Sequence, residues 1–185
     1  MIIETDDDNI PIEGFWTQRN RLIDAHLLEN KEWVNIYRYF TTMNIWPRGF
    51  SLEHIQNELP ILTEQQILNC PIQQGLADEN PDVDAIYRLI MPLPLMFRKD
   101  RRVILSKGSW CPFNSQNTVW YPDAFPLLYM PSYCSIRMTD IWRGLIAQRI
   151  AHVNGWGVLF YEPTVTQDRN EHNLMRDFKD EIPGF

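Results

Sequence analysis

Three consecutive aspartates, Asp6, Asp7 and Asp8, follow directly on the β-capable stretch Ile2-Ile3-Glu4-Thr5. Carboxylates crowded at the end of a strand repel one another unless a cation or a hydrogen-bond network gathers them. Asp6 and Asp8 are two apart, so a strand that persisted through them would present both to one face, in the manner of an Asp-x-Asp pair that takes a divalent ion. A run of acids is also the composition of a solvated surface, and the triplet alone leaves both readings open. A further carboxylate, Asp140, lies in Met138-Thr139-Asp140-Ile141-Trp142-Arg143-Gly144 in the first turn of an expected helix. There it is favoured by the helix dipole, and at the edge of a site it could take a proton from an acceptor hydroxyl.

The elements that must position these groups read as an alternation of strands and helices. Strands are expected at Ile2 to Thr5, Trp33 to Phe40, Ile72 to Ala77, Val103 to Leu105, Thr118 to Tyr121 and Trp156 to Tyr161. Weak helical character runs from Thr17 to Leu28, Ser51 can cap a short helix to about Leu59, and Asp82 can cap one carrying Val83, Ile86, Tyr87 and Ile90. Pro122-Asp123 suits a helical turn. After Thr139 the apolar residues Trp142, Leu145, Ile146, Ile150 and Val153 recur at helical spacing until Asn154-Gly155, and a last helix over Asn170 to Ile182 would turn Leu174, Met175, Phe178 and Ile182 inward. Such an alternation predicts an α/β domain with a mixed sheet flanked by helices, and ligands at the loops that follow the strands' carboxyl ends.

Composition bounds the function. With 185 residues the chain is of single-domain size and can bury a substantial core. A formal charge of -7 excludes a general nucleic-acid binder, since that affinity rests on Lys and Arg against phosphate. The cluster Arg98, Lys99, Arg101, Arg102 and Lys107 reads as a solvated loop. Cys70, Cys111 and Cys134 are odd in number and without metal-ligand spacing, so they read as small buried hydrophobes. No stretch has the length of a membrane span. A calcium loop starting at Asp6 would place Ile10 and Pro11 where an oxygen ligand and a glycine are needed, and neither a P-loop nor a nucleophile elbow is present.

In order along the chain, Ile3-Glu4-Thr5-Asp6-Asp7-Asp8-Asn9, Trp46-Pro47-Arg48-Gly49-Phe50, Asp82-Val83-Asp84-Ala85-Ile86-Tyr87-Arg88-Leu89, Asn114-Ser115-Gln116-Asn117-Thr118 and Thr139-Asp140-Ile141-Trp142-Arg143-Gly144 resemble motifs of the STELLO-type glycosyltransferases. Gln167-Asp168-Arg169-Asn170-Glu171-His172-Asn173 and Asp177-Phe178-Lys179-Asp180-Glu181 continue the series. More distantly, the acidic turn and the Asp-Ile-Trp segment are similar to those of the UDP-arabinopyranose mutases.

The resemblance implies a GT-A-like fold and transfer from a nucleotide sugar, a UDP-sugar, to an acceptor. It implies Asp6 and Asp8 as ligands of Mn²⁺ or Mg²⁺, with His172 as a third ligand or a helix-capping side chain. Asp140 would be the acceptor-side base, and Asp7, Arg88, Trp142 and Arg143 would lie on the substrate side. Arg88 aligns with the arginine that the mutases glycosylate, but Leu89 stands where they have glycine, which favours an ordinary phosphate or carboxylate partner. In such folds a β-α-β half binds the nucleotide ahead of the acidic turn, so the chain is expected to be the catalytic and acceptor half of a longer protein. The family would place it in the Golgi lumen. The alternative expectation is a non-catalytic relative that partners a polysaccharide synthase.

Overall fold

The computed structural model describes residues 1–62, 65–170 and 173–185. Among the described residues there are ten strands: β1 (Ile2–Thr5), β2 (Asn9–Pro11), β3 (Leu22–Leu28), β4 (Glu32–Trp33), β5 (Gln65–Asn69), β6 (Ile72–Asp78), β7 (Arg102–Leu105), β8 (Ser109–Trp110), β9 (Asn117–Trp120) and β10 (Val158–Gln167). Eight of them form one mixed sheet in the order β1-β9-β6-β10-β7-β3-β5, with β2 also paired to β10, while β4 and β8 form a small parallel pair. The helices are α1 (Tyr37–Phe40), α2 (Ala85–Ile90), α3 (Thr139–Val153) and α4 (Leu174–Glu181).

Strand direction places the acids. β10 runs parallel to β6, whereas β1 and β6 both run antiparallel to β9, so β1, β6 and β10 all end on the same side of the sheet. The segments that leave these ends are Asp6 to Asp8, Glu79 to Asp84, and Asp168 onward. β10 reaches this side by changing partners along one edge: residues 158–161 pair with β7 and residues 165–167 with β2. Pro163, which has no N–H to give, sits at the changeover, where the ladder to β6 also shifts register.

The main core lies on one face of the sheet, with Leu28, Phe40, Ile45, Phe50, Ile72, Phe113, Trp120 and Phe160 among its fully buried members. A smaller cluster of Ile23, Ala25, Ile104, Leu159 and Tyr161 occupies the other face. Cys70 and Cys111 are buried and free, and Cys134 is half-buried. No helix among the described residues is long and apolar enough to cross a membrane.

Several local expectations need correction. The stretch from Thr17 to Leu28 ends in strand β3, whose pairing with β7 and β5 overrides weak helical propensity. Trp33 to Phe40 is not one strand but a two-residue pairing followed by α1, because its aromatics pack inward from a turn of helix. Only Leu52–His54 after Ser51 is helical, as a short 3-10 turn. The cap of α2 is Asp84, which accepts from the Tyr87 N–H, while Asp82 is engaged elsewhere. In α3 the periodic apolar residues face outward: Trp142, Ile146 and Val153 are 40%, 53% and 70% exposed. The side of α3 that meets the core carries Asp140, Ile141, Arg143, Gly144, Ala147, Gln148 and Ala151. In α4, likewise, Met175 and Ile182 are exposed and the buried positions are Asp177 and Glu181.

Gly144 is the reason α3 can lie so close. A Cβ there would collide with the carbonyl oxygen of Phe113, a backbone atom that cannot swing aside. Gly144→Ala is therefore expected to lower stability by roughly 1–3 kcal/mol, the range of core overpacking, despite alanine's better helix propensity. Urea unfolding of the two proteins measures this, and a variant as stable as wild type would show that α3 can shift without cost.

Candidate functional site

The acidic turn is closed by the Asn9 N–H donating to the Asp6 carbonyl at 3.3 Å. β1 ends at Thr5, so Asp6 and Asp8 are brought together by this turn and not by strand alternation. The Gln167 side chain, at the end of β10, donates from Nε2 to Asp8 Oδ1 at 2.8 Å and to Asp6 Oδ2 at 3.3 Å. The Asn170 N–H reaches Asp8 Oδ2 at 3.4 Å, and the Asp168 N–H donates to the Asp8 carbonyl. Asp6 is pushed up to about 6, first by burial and then by the charges of Asp82, Asp8 and Asp140, against which Arg48 acts. Asp7, at the tip, is exposed.

The wall behind the turn is held by Arg48. Its guanidinium lies between two carboxylates, with Nε 2.9 Å from Asp82 Oδ1 and Nη2 2.9 Å from both Asp82 Oδ2 and Asp140 Oδ2. Nη1 adds Asp140 Oδ1 at 3.1 Å and the Arg137 carbonyl oxygen. Burial opposes the charge on Asp82, yet Arg48 beside it holds the carboxyl below its ordinary value. Two residues along from each partner, Trp46 Nε1 donates to Asp84 Oδ2 at 2.6 Å, so residues 46–48 dock in register on residues 82–84. The turn that allows this contains Gly49 at φ +77°, where a side chain would also run into Ile141. Sequence reasoning quoted Arg48 only as part of a motif; the signal that singles it out is one arginine in an apolar run, facing a double-aspartate segment.

Asp140 thus joins the same wall as Asp6, but its oxygens are occupied. Besides Arg48, they accept from the Ser115 N–H and hydroxyl, each at 3.2 Å, and from the Ile141 N–H at 3.0 Å. Arg143 is turned away from the acidic turn. It makes a two-pronged ion pair with Glu4 at 2.7 and 2.9 Å and stacks over Trp120, tying α3 to β1 and β9. Trp142 lies on the outer face of α3. Arg88, half-buried, donates to the Pro81 carbonyl at 3.0 Å on the side of the site formed by residues 79–84. His172 lies outside the described residues.

Among the described residues, no three His, Cys, Asp or Glu side chains are gathered closely enough to hold a metal ion by themselves. Asp6 and Asp8 nevertheless have the donor chemistry that a hard cation takes, and two buried amide oxygens beside them, Gln167 Oε1 and Asn9 Oδ1, have no hydrogen-bond partner. Orphaned oxygens next to repelling carboxylates fit a cation whose remaining ligands are water and substrate phosphate.

A mixed sheet with helices packed on it, presenting a pair of aspartates where β1, β6 and β10 end, is consistent with a GT-A-like domain. The profile of the "STELLO glycosyltransferases" matches residues 137–183, a stretch that includes Asp140, Gln167 and Arg169. Two Arabidopsis thaliana proteins, described as "Probable glycosyltransferase STELLO2" and "Probable glycosyltransferase STELLO1", are 34% and 33% identical to the chain over 165 residues, or 84% of its length. The chain is thus similar to the STELLO glycosyltransferases over most of its own length, and it spans about a fifth of the length of these relatives, 22% and 21%.

The raised carboxyl of Asp6 makes stability depend on pH in a defined direction. A carboxyl that holds its proton more tightly when folded contributes stability below about pH 4, where it is protonated in both states, and that contribution is lost as pH rises through about 6. In metal-free buffer Asp6→Asn should match wild type at pH 4 and be the more stable protein at pH 7. Urea unfolding at the two pH values checks this, and an Asp6→Asn protein less stable than wild type at pH 7 would contradict the crowding of charge described above.

Proposed function

We propose that this chain forms the metal-binding and acceptor-side part of a glycosyltransferase that uses a nucleoside-diphosphate sugar, a UDP-sugar by its resemblance to the STELLO glycosyltransferases. The observation that carries the reading is the convergence of Asp6 and Asp8 on Gln167 at the ends of β1 and β10, with orphaned amide oxygens beside them. Asp6 and Asp8 would hold Mn²⁺ or Mg²⁺, Gln167 would join them through Oε1 once its amide turns over from the N–H donation described above, and His172 remains a further ligand in this proposal. When bound, the ion supplies Lewis-acid neutralisation of the diphosphate leaving group. In the transfer, the acceptor oxygen bonds to the anomeric carbon as the bond to the diphosphate breaks, and the acceptor proton passes to a base.

Asp140, with both oxygens committed, enters this scheme as a positioning residue that fixes Arg48 and Ser115 behind the acidic turn. To serve as the acceptor-side base it must first give up one of these partners. Asp7, exposed at the tip, is free to meet the sugar or the nucleotide. A second reading, a relative that partners a polysaccharide synthase in the Golgi, draws support from the outward apolar face of α3, where Trp142, Ile146 and Val153 are exposed.

Calorimetric titration with Mn²⁺ in the presence of UDP tests the metal assignment. Wild type is expected to bind, and Asp8→Ala to lose at least tenfold in affinity. Equal binding by the two proteins would remove the cation from this site.

Asp140→Asn separates the Arg48 clamp from a simple helix-start contact. Weakening a buried, hydrogen-bonded ion pair costs about 3–5 kcal/mol, whereas the loss of a helix-dipole contact alone costs only about 0.3–1 kcal/mol. Chemical unfolding is expected to show a loss in the larger range, and a loss under 1 kcal/mol would contradict the clamp.

A further inference from the structure

The smaller apolar cluster, on the face of the sheet opposite the main core, draws none of its members from a helix. A cleft of about 530 Å³ opens over it, with Ile23, Leu159 and Tyr161 in its floor and part of the segment 13–20 as one wall. That segment is tied to the sheet at both ends. The Ile12 N–H donates to the Thr164 carbonyl at 2.9 Å, and the buried Gln73 side chain on β6 donates to the Asn20 carbonyl at 2.7 Å. The volume lies within the roughly 300–1,000 Å³ range of small-molecule sites.

Charged groups of both signs line this one cleft without pairing. Arg19 Cζ lies 4.9 Å from the centre of the Tyr161 ring, one of its N–H groups goes to the Phe15 carbonyl at 3.1 Å, and its Nε is buried without a partner. No carboxylate among the described residues is in salt-bridge contact with it. Glu13 and Asp24 are exposed at the mouth and, among the described residues, have no cation in contact. The other charges of the lining are engaged, Arg102 with Glu162 at 3.5 Å and Lys99 with Asp78 at 3.8 Å.

This mixture selects for a neutral ligand. An anion is drawn to Arg19 and repelled by Glu13 and Asp24, and a cation meets the reverse. A hydroxyl suits both, since it donates to a carboxylate and accepts from a guanidinium. The buried Nε–H is a standing cost that an acceptor oxygen removes. A sugar ring adds an apolar C–H face, which matches the floor of Ile23 and Leu159.

We propose that this cleft binds a neutral saccharide, with Arg19 as its inner hydrogen-bond donor and Glu13 and Asp24 as acceptors at the mouth. That the saccharide belongs to the acceptor rests on the transfer reading above. Thr164, at the edge of the cleft, is three residues before the end of β10 at Gln167, a separation of roughly 10 Å at about 3.3 Å per residue, so a short oligosaccharide seated here extends toward the acidic turn.

Titration followed by heteronuclear NMR, on the whole chain in EDTA and without nucleotide, tests the site. The probes are maltotetraose, xylotetraose and mannotetraose, with tetragalacturonate as the anionic counterpart. Wild type is expected to show shift changes centred on residues 13–24 and 159–164 with at least one neutral probe, and Arg19→Gln to weaken its binding at least tenfold. Thr17→Trp, at an exposed position that lines the cleft, fills the space without entering the core and is expected to abolish binding. No shift changes at millimolar concentrations of all three neutral probes, or full affinity in Thr17→Trp, overturns the site. Full affinity in Arg19→Gln overturns the role of Arg19, and tighter binding of the galacturonate overturns the neutral class. Because neither metal nor nucleotide is present, failure of the acidic turn to take Mn²⁺ with saccharide binding intact would sink the metal assignment and leave this site standing.

Discussion

A single guanidinium holds the acidic end of the sheet together. Arg48 accommodates two buried aspartates that come from distant parts of the chain, Asp82 after β6 and Asp140 at the start of α3. Taking three charges out of water is expensive, and the arrangement survives because the fork of Arg48 meets both carboxylates with near-ideal hydrogen bonds while Ser115 and backbone N–H groups take the remaining lone pairs. Such a cluster adds little net stability over a well-packed apolar one. Its consequence is registry: α3, the loop before α2 and the 46–49 turn can meet in only one way.

The same interaction sets the electrostatics of the neighbouring turn. Arg48 offsets part of what burial and three neighbouring carboxylates do to Asp6. A similar sharing recurs at α4, where Glu181 accepts from the Ala85 N–H beside Asp84 and takes Arg137 as its ion partner. Alternating charge thus runs from Asp6 through Arg48 and Arg137 to Glu181. A local negative surplus falls at its margin, at Asp6 and Asp8. A cation complements that surplus.

Sequence reasoning located most of the sheet because β6, β7, β9 and the first half of β10 are dense in apolar and aromatic residues, and because Pro and Gly mark their ends. It also found the acidic turn, whose charge density is visible without any fold. It found α3 from its apolar spacing and its Asn154-Gly155 stop but not which side is buried: Trp142, Ile146 and Val153 face outward while Asp140, Arg143 and Gln148 face the core. Periodicity assumes that the buried side of a helix is the apolar one, and a helix that delivers polar side chains to a site violates the assumption. The pairing of Trp46 and Arg48 with Asp84 and Asp82 was beyond reach for another reason. The partners are 38 and 34 positions apart, and no local signal joins them. Gln167 was missed because an amide that gathers carboxylates resembles any other glutamine until the end of β10 is placed beside the turn.

The account depends most on the acidic turn being a cation site at the carboxyl ends of β1 and β10. Crystals grown with Mn²⁺ and UDP, with diffraction recorded on either side of the manganese absorption edge, test this without recourse to activity. The expected result is one anomalous peak within coordination distance of Asp6 and Asp8, on the Gln167 side, with the diphosphate against it. Manganese bound elsewhere on the molecule, with the turn unchanged and empty beside bound UDP, would contradict the account.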